Sequence, residues 1–418
     1  MIADPFGAAM VFFIVGFFFV RMFRRLRLLT VVDFLDNRYG KTAATLSAVA
    51  MITSILGWAG GLLVAFGVIF QSLTGISMEA GILFGAAVVF IYTIAGGLWA
   101  VVVTDFVQFV LIAIGLIMLL VVVLNDAGGW TAVRSQMPDD VFRMVPAEPR
   151  WDVWLNYLRA WMIFGLADVT SQTLMLRGFA ARTERVAQNS FYLAGITYLV
   201  LGMVPVMLGL IAAVTLPGIS DPETMIPELA QAHLHPVAVA IFVGALLAAI
   251  MSSTDSALLS AASLFSVNIA PLLSARARGD RARLWITRLA IPVFGLIALY
   301  VALEVQAVYE LIQDANSVLL VSVVVPFVCG MWWRKANRSG TLASMAAGFA
   351  TWMLVLLLAP DLPGDLMGLF VSLVVMIFAT LLTQRIDPPQ PLRNSDGEEV
   401  AMSDRLGTLS LLPANGSK

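Results

Sequence analysis

The chain has 418 residues, of which 60% are hydrophobic and 12% charged, with a net charge of −2. A soluble domain carries about 25% charged residues, so lipid is the solvent for most of this chain, and the charge balance does not suggest nucleic acid as a partner. The single cysteine, Cys329, can make neither an internal disulfide nor a thiolate cluster, and His233 and His235 share one polar loop, which excludes intramembrane haem ligation or an intramembrane histidine base.

A helix that crosses a bilayer needs about 20 apolar residues. Eleven such stretches follow one another at roughly 6–23, 42–70, 79–98, 101–125, 154–176, 188–216, 236–270, 284–303, 306–332, 339–359 and 366–384. The longest exceed one bilayer thickness and so tilt, bend or protrude. In the first, Arg21, Arg24, Arg25 and Arg27 follow the apolar run and no small-residue cleavage site is present, so it reads as a span rather than a cleaved signal. These arginines, with Arg38 and Lys41, form the first of a series of basic loops. Arg177, Arg182 and Arg185 follow span five, Arg276, Arg278, Arg281 and Arg283 follow span seven, and Arg334, Lys335 and Arg338 follow span nine. The loops around 71–78, 217–235 and 360–365 hold no Lys or Arg, and only the 126–153 loop breaks the alternation, with Arg134, Arg143 and Arg150. The positive-inside rule then places the N-terminus outside and the C-terminus in the cytoplasm.

Span two carries Gly57 and Gly61, a GxxxG read as helix packing. At the junction of spans three and four, Tyr92 to Gln108, Gly96 and Gly97 permit a tight turn, Thr104 is placed to cap the next helix, and Asp105 suits the positive end of its dipole. Span five holds a polar interruption, Asp168-Val169-Thr170-Ser171-Gln172-Thr173. It reads either as a broken helix lining a solute site or as a helix end followed by a wet loop. The His233-Leu234-His235 loop offers a remote metal reading with Asp221 or Glu223 against the plainer one of a solvated outer loop.

Span seven is the richest in polar groups, Ala249-Ile250-Met251-Ser252-Ser253-Thr254-Asp255-Ser256, with small residues recurring at steps of three or four. Such a stripe allows close helix packing. It also presents hydroxyls to a hard cation such as sodium, to which a bent helix adds a free carbonyl. Asp255, three residues after Ser252, would lower the cost of a nearby cation or pair with an arginine near the inner mouth. Span nine carries Glu310, Gln313, Asp314 and Asn316 and then Pro326, lining a cavity or an outer rim. After Arg385 the tail turns polar and is expected to be disordered.

Three of these segments together resemble the sodium:solute symporter family. They are Tyr92 to Gln108, Ala249 to Leu259, and Pro326 to Gly340. The resemblance runs over about residues 1–385 and implies an all-α integral membrane protein, a LeuT-type bundle of inverted five-helix repeats, with residues 386–418 as a cytoplasmic tail. Aligned by motif, the first nine spans match core helices two to ten and two peripheral helices follow. Core helix one is expected to be absent, leaving the first repeat incomplete. The resemblance implies sodium as the coupling ion, no organic cofactor, a small polar solute carried by alternating access, and a plasma-membrane or bacterial inner-membrane location. It implies no enzymatic activity. Ala249 would give a carbonyl and Ser252 and Ser253 hydroxyls to sodium. Asp105, with Asp255, would lie on the ion's inward route, and Ser171 and Gln172 would face the solute. The chain departs from the family in having Leu176-Arg177 where Gln-Arg is usual. A non-transporting sensor or truncated homologue and a passive channel are the rival readings.

Overall fold

The computed structural model describes residues 5–95, 98–216, 218, 221–400 and 406, excepting the side chains of 92, 94–104 and 275. The Gly96-Gly97 turn expected from the sequence lies outside the described residues. In chain order the helices are α1 (Phe6–Ile14), α2 (Val20–Leu26), α3 (Val31–Tyr39), α4 (Lys41–Thr74), α5 (Met78–Ala95) and α6 (Leu98–Asp126). Then come α7 (Gly129–Arg134), α8 (Trp151–Gly165), α9 (Gln172–Phe179), α10 (Glu184–Thr215), α11 (Met225–His233) and α12 (Pro236–Leu264). The last are α13 (Ala270–Leu273), α14 (Asp280–Val305), α15 (Val308–Ser322), α16 (Val324–Trp332), α17 (Arg338–Leu358) and α18 (Gly364–Thr383).

Among the described residues eight helical stretches are long and apolar enough to cross a membrane, the first being α1 and α2 joined without a break through residues 15–19, and a ninth span is formed if α15 and α16, bent by 43° at their junction, are taken together. The other two expected spans are the shorter α5 and the interrupted pair α8–α9. At 34 residues, α4 is about 51 Å long at 1.5 Å per residue, well beyond a hydrocarbon core of about 30 Å. The sequence expectation for α6 needs correction. The helix is described from Leu98, so Thr104 lies within it rather than ahead of it, and Asp105 sits two turns in, beyond the reach of the end dipole.

The chain forms two compact units. Unit 1 comprises residues 52–147 and 200–315 with the first two residues. Its core gathers Ile69, Leu119, Val123, Leu208, Ile211 and Phe242 from α4, α6, α10 and α12. Helices α6 and α12 meet closely at Gly115, where a Cβ would lie 2.6 Å from the Phe242 ring. The GxxxG reading as packing agrees with the structure: a Cβ on Gly57 would lie 3.2 Å from that of Ala315, and one on Gly61 3.2 Å from Ile312.

Unit 2 comprises residues 3–51, 148–199 and 316–418. Phe23 of α2 stacks on Phe327 of α16 with centroids 5.4 Å apart and planes 10° from parallel. A capping box opens α3: Thr30 accepts from the Asp33 amide and Asp33 from the Thr30 amide, at 2.9 and 3.0 Å. Near its end, Arg38 donates to the carbonyls of Gly330, Trp333 and Arg334 at 3.2, 3.2 and 3.0 Å, filling the acceptors at the C-terminus of α16. Arg38 is therefore buried structure, not one more solvated charge of the first basic loop. The neighbouring Tyr39 donates to the Pro326 carbonyl at 2.9 Å, and burial pushes its phenol above its ordinary pKa. A salt bridge at 2.6 Å joins Arg159 of α8 to the buried Asp365 of α18.

The tail is described continuously as far as Val400, and that part makes hydrogen bonds that its polarity did not foretell. Residues 392–400 turn back on themselves, pairing Arg393 with Glu399, and the Ser395 amide donates to the Leu26 carbonyl at 3.0 Å. Backbone and side-chain acceptors at the end of α2 and in α3 supply what the tail's polarity alone does not reveal. Residues 401–405 and 407–418 lie outside the described residues.

Candidate functional site

Unit 1 brings together two polar segments about 150 residues apart in sequence, the stretch from Thr93 to Gln108 and the middle of α12. Asp105 on α6 accepts a hydrogen bond from the Ser252 hydroxyl on α12. Three residues along the same face of α12, Asp255 accepts one from Thr93 on α5. Ten residues beyond Asp105, Gly115 meets Phe242, which lies ten residues before Ser252. The two helices thus run in opposite directions in contact, and close packing at the glycine fixes the register that sets Asp105 against Ser252.

Asp255 is 2% exposed. Its Oδ2 is buried with no hydrogen-bond partner among the described residues, and no ion pair forms there, so the arginine-partner reading does not hold. One turn beyond Asp105, the Gln108 Oε1 is likewise buried with no partner among the described residues. Buried acceptors without donors are costly, and a hard cation satisfies them because it takes oxygen ligands and brings positive charge. The donor set fits sodium. Ser252 spends its one proton on Asp105 and keeps lone pairs for an ion. Ser253 and Ser256 lie one and four residues further along α12. One expectation changes here: α12 is continuous from Pro236 to Leu264, so no bend frees the Ala249 carbonyl, which offers only its second lone pair.

In unit 2 the polar interruption of span five is a true break. Helix α8 ends at Gly165, a 3-10 turn covers Ala167–Thr170, Ser171 is extended, and α9 starts at Gln172. Gln172 is 2% exposed. Its Oε1 accepts from the Val31 amide at 2.8 Å, holding the start of α3, while its Nε2 is buried with no partner among the described residues. The side chain is thus half structural and half available. Ser171 and Gln172 belong to unit 2, and the Asp105–Ser252 cluster to unit 1.

Among the described residues no group of three or more His, Cys, Asp or Glu side chains is arranged to hold a metal. The residues of the remote histidine reading have other work. His233 pairs with Asp126 at 2.8 Å, Glu223 accepts from the Val308 and Tyr309 amides at 3.0 and 3.3 Å, and Asp221 caps a 3-10 turn. Sequence reasoning assigned no role to Thr93 or Gln108, although both stand in the Tyr92–Gln108 segment. Their polarity inside apolar helices was the available signal.

A family model described as "Sodium:solute symporter family" matches residues 3–348. The chain is 27% identical over 359 residues to the high affinity choline transporter 1 of Homo sapiens, covering 82% of this chain and 61% of that protein. It therefore spans about three fifths of the length of that relative. It is also 27% identical over 377 residues to the high-affinity proline transporter PutP of Bacillus subtilis (strain 168), covering 85% of this chain and 77% of that one. Among solved structures, a Na+-coupled sialic acid symporter in a substrate-bound outward-open state superposes with a TM-score of 0.70 at 18% identity, over 90% of this chain and 83% of that one. The fold is accordingly an all-α, LeuT-type membrane bundle.

Proposed function

The chain belongs to the sodium:solute symporter family, and from that premise we propose that it uses a sodium gradient to drive uptake of a small polar organic solute by alternating access. The observation that carries the reading is the crossed pair of carboxylates in unit 1, Asp105 against Ser252 and Asp255 against Thr93, with a buried Asp255 oxygen left over. Ser252, Ser253 and the Ala249 carbonyl supply oxygens to the ion. Asp105 and Asp255 offset its charge along the route inward. In unit 2 the broken helix presents Ser171 and the Gln172 amide to the solute, the unengaged Nε2 donating to a solute oxygen. The named relatives carry solutes as different as choline and proline; the solute of this chain shares with them small size and solubility in water. Alternating basic loops support an outside N-terminus and a cytoplasmic C-terminus in the plasma membrane.

Asp255→Asn tests the reading without knowledge of the solute. A buried carboxylate oxygen with no partner destabilises the bundle by about 1–3 kcal/mol, and a bound cation offsets that cost. In sodium-free buffer the variant should unfold at a higher temperature than the parent, and the rise that sodium gives the parent should shrink. Equal sodium-induced rises in both proteins would sink the assignment of Asp255.

A further inference from the structure

At the end of α2 and the start of α10, unit 2 contains a cavity of about 750 Å³ lined by Arg21, Arg24, Arg25, Arg27, Arg182 and Arg185. Among the described residues the rest of the lining is Glu184, Thr183, Gln188 and Asn394, of which Glu184 alone is acidic, and Arg21 also donates to the Leu406 carbonyl of the tail at 2.8 Å. A positive-inside bias explains why arginines occur in these loops. It does not explain why two segments separated by about 150 residues, the end of α2 and the start of α10, turn six guanidinium groups onto one cavity.

The compensation inside the cavity is incomplete. Glu184 is shared by Arg21 and Arg25, at 3.3 and 2.8 Å, and Arg27 reaches Asp396 of the tail at 3.2 Å. Arg182 has no ion pair among the described residues, and its carbonyl accepts from Arg24 at 3.4 Å. The Arg24 Nε is buried with no partner among the described residues. Thr183 caps α10, accepting from the Val186 amide at 3.2 Å, so the positive end of a 32-residue helix opens on the same space.

We propose that this cavity is a binding site for a phosphate-bearing anion, separate from the transport site. Guanidinium forks match phosphate oxygens in paired, charge-assisted hydrogen bonds, which no monovalent halide can exploit. Two sources carry that chemistry, an anionic lipid headgroup of the surrounding leaflet and a free phosphate compound. Basic pockets at the cytoplasmic ends of membrane helices take such headgroups.

The test uses the full chain with two probes. One is inorganic pyrophosphate, titrated against detergent-purified protein. The other is phosphatidylglycerol, titrated into phosphatidylcholine nanodiscs and read by native mass spectrometry. Arg24→Gln with Arg182→Gln leaves both partners of Glu184 in place and should weaken binding of the recognised probe by roughly tenfold or more, as expected for two lost charge-assisted bonds. Arg334→Gln with Arg338→Gln, basic residues that do not line the cavity, should leave binding unchanged. Binding of pyrophosphate, lost in the first variant, identifies a free phosphate compound. Binding of phosphatidylglycerol alone, lost in the same way, identifies a lipid headgroup. If the glutamine pair does not fold, Arg24→Lys with Arg182→Lys keeps the charge but removes the forks, and it should weaken binding several-fold. The proposal is overturned if neither probe binds, if the cavity variants bind as the parent does, or if the control pair weakens binding equally.

Discussion

Replacing Ser252 and Ser253 together by alanine should raise the sodium concentration for half-maximal stabilisation by roughly a hundredfold or more. In the proposed site each hydroxyl gives an oxygen to a desolvated cation, and a polar group facing a charge contributes about 1.5–3 kcal/mol. Two such losses exceed the 2.8 kcal/mol or so that corresponds to a hundredfold. Alanine suits a helix interior better than serine, and α12 is continuous through both positions, so the helix itself should survive. Thermal unfolding against sodium, with potassium as control, reads the effect directly. Sodium dependence unchanged in the double variant would remove these residues from the site.

Asp105→Asn should give the second largest effect, a rise of roughly thirtyfold in the sodium concentration required. A unit charge about 4 Å from a cation contributes about 4 kcal/mol at an effective dielectric of 20. Asparagine keeps a carbonyl oxygen that can accept from Ser252, as Asp105 does, so part of that attraction and most of the local geometry persist. Solute preference at saturating sodium should not change, because the role proposed for Asp105 is towards the ion, while the residues proposed to face the solute are Ser171 and Gln172. A variant with normal sodium dependence and an altered solute preference would contradict this division of roles.

The spans were legible because a bilayer imposes one simple rule, length and oiliness, and nine of the eleven stretches appear as membrane-length helices or as the bent α15–α16 pair. The break at Ser171 was legible too, since a run of polar residues inside an apolar helix is expensive to bury unless the chain bends there or meets water. Contacts between distant segments were not. Nothing in the sequence near Arg38 says that its guanidinium closes the end of α16 nearly 300 residues away, and a loop arginine looks the same whether solvated or buried. The start of α6 was misplaced because Thr104-Asp105 has the appearance of a cap, whereas the helix already runs from Leu98. Local propensity identifies what a residue is able to do, and packing decides whether it does so. For the same reason Asp255 was recognised as anomalous from sequence, but only the structure shows that Thr93 contacts one oxygen and that the other has no partner among the described residues.

Sodium-driven accumulation is the central claim, and it is measured most directly with the purified chain in proteoliposomes. The vesicles are placed in a mixture of amino acids, sugars and quaternary amines under a tenfold inward sodium gradient at zero membrane potential. Their contents are then read by mass spectrometry. A tenfold gradient holds about 1.4 kcal/mol per ion, enough for about tenfold accumulation for each sodium coupled to a solute. The account predicts that at least one solute rises transiently several-fold above its external level. The rise should disappear when potassium replaces sodium and in the Ser252→Ala, Ser253→Ala protein. Contents that are the same with sodium, with potassium and with no gradient would contradict it.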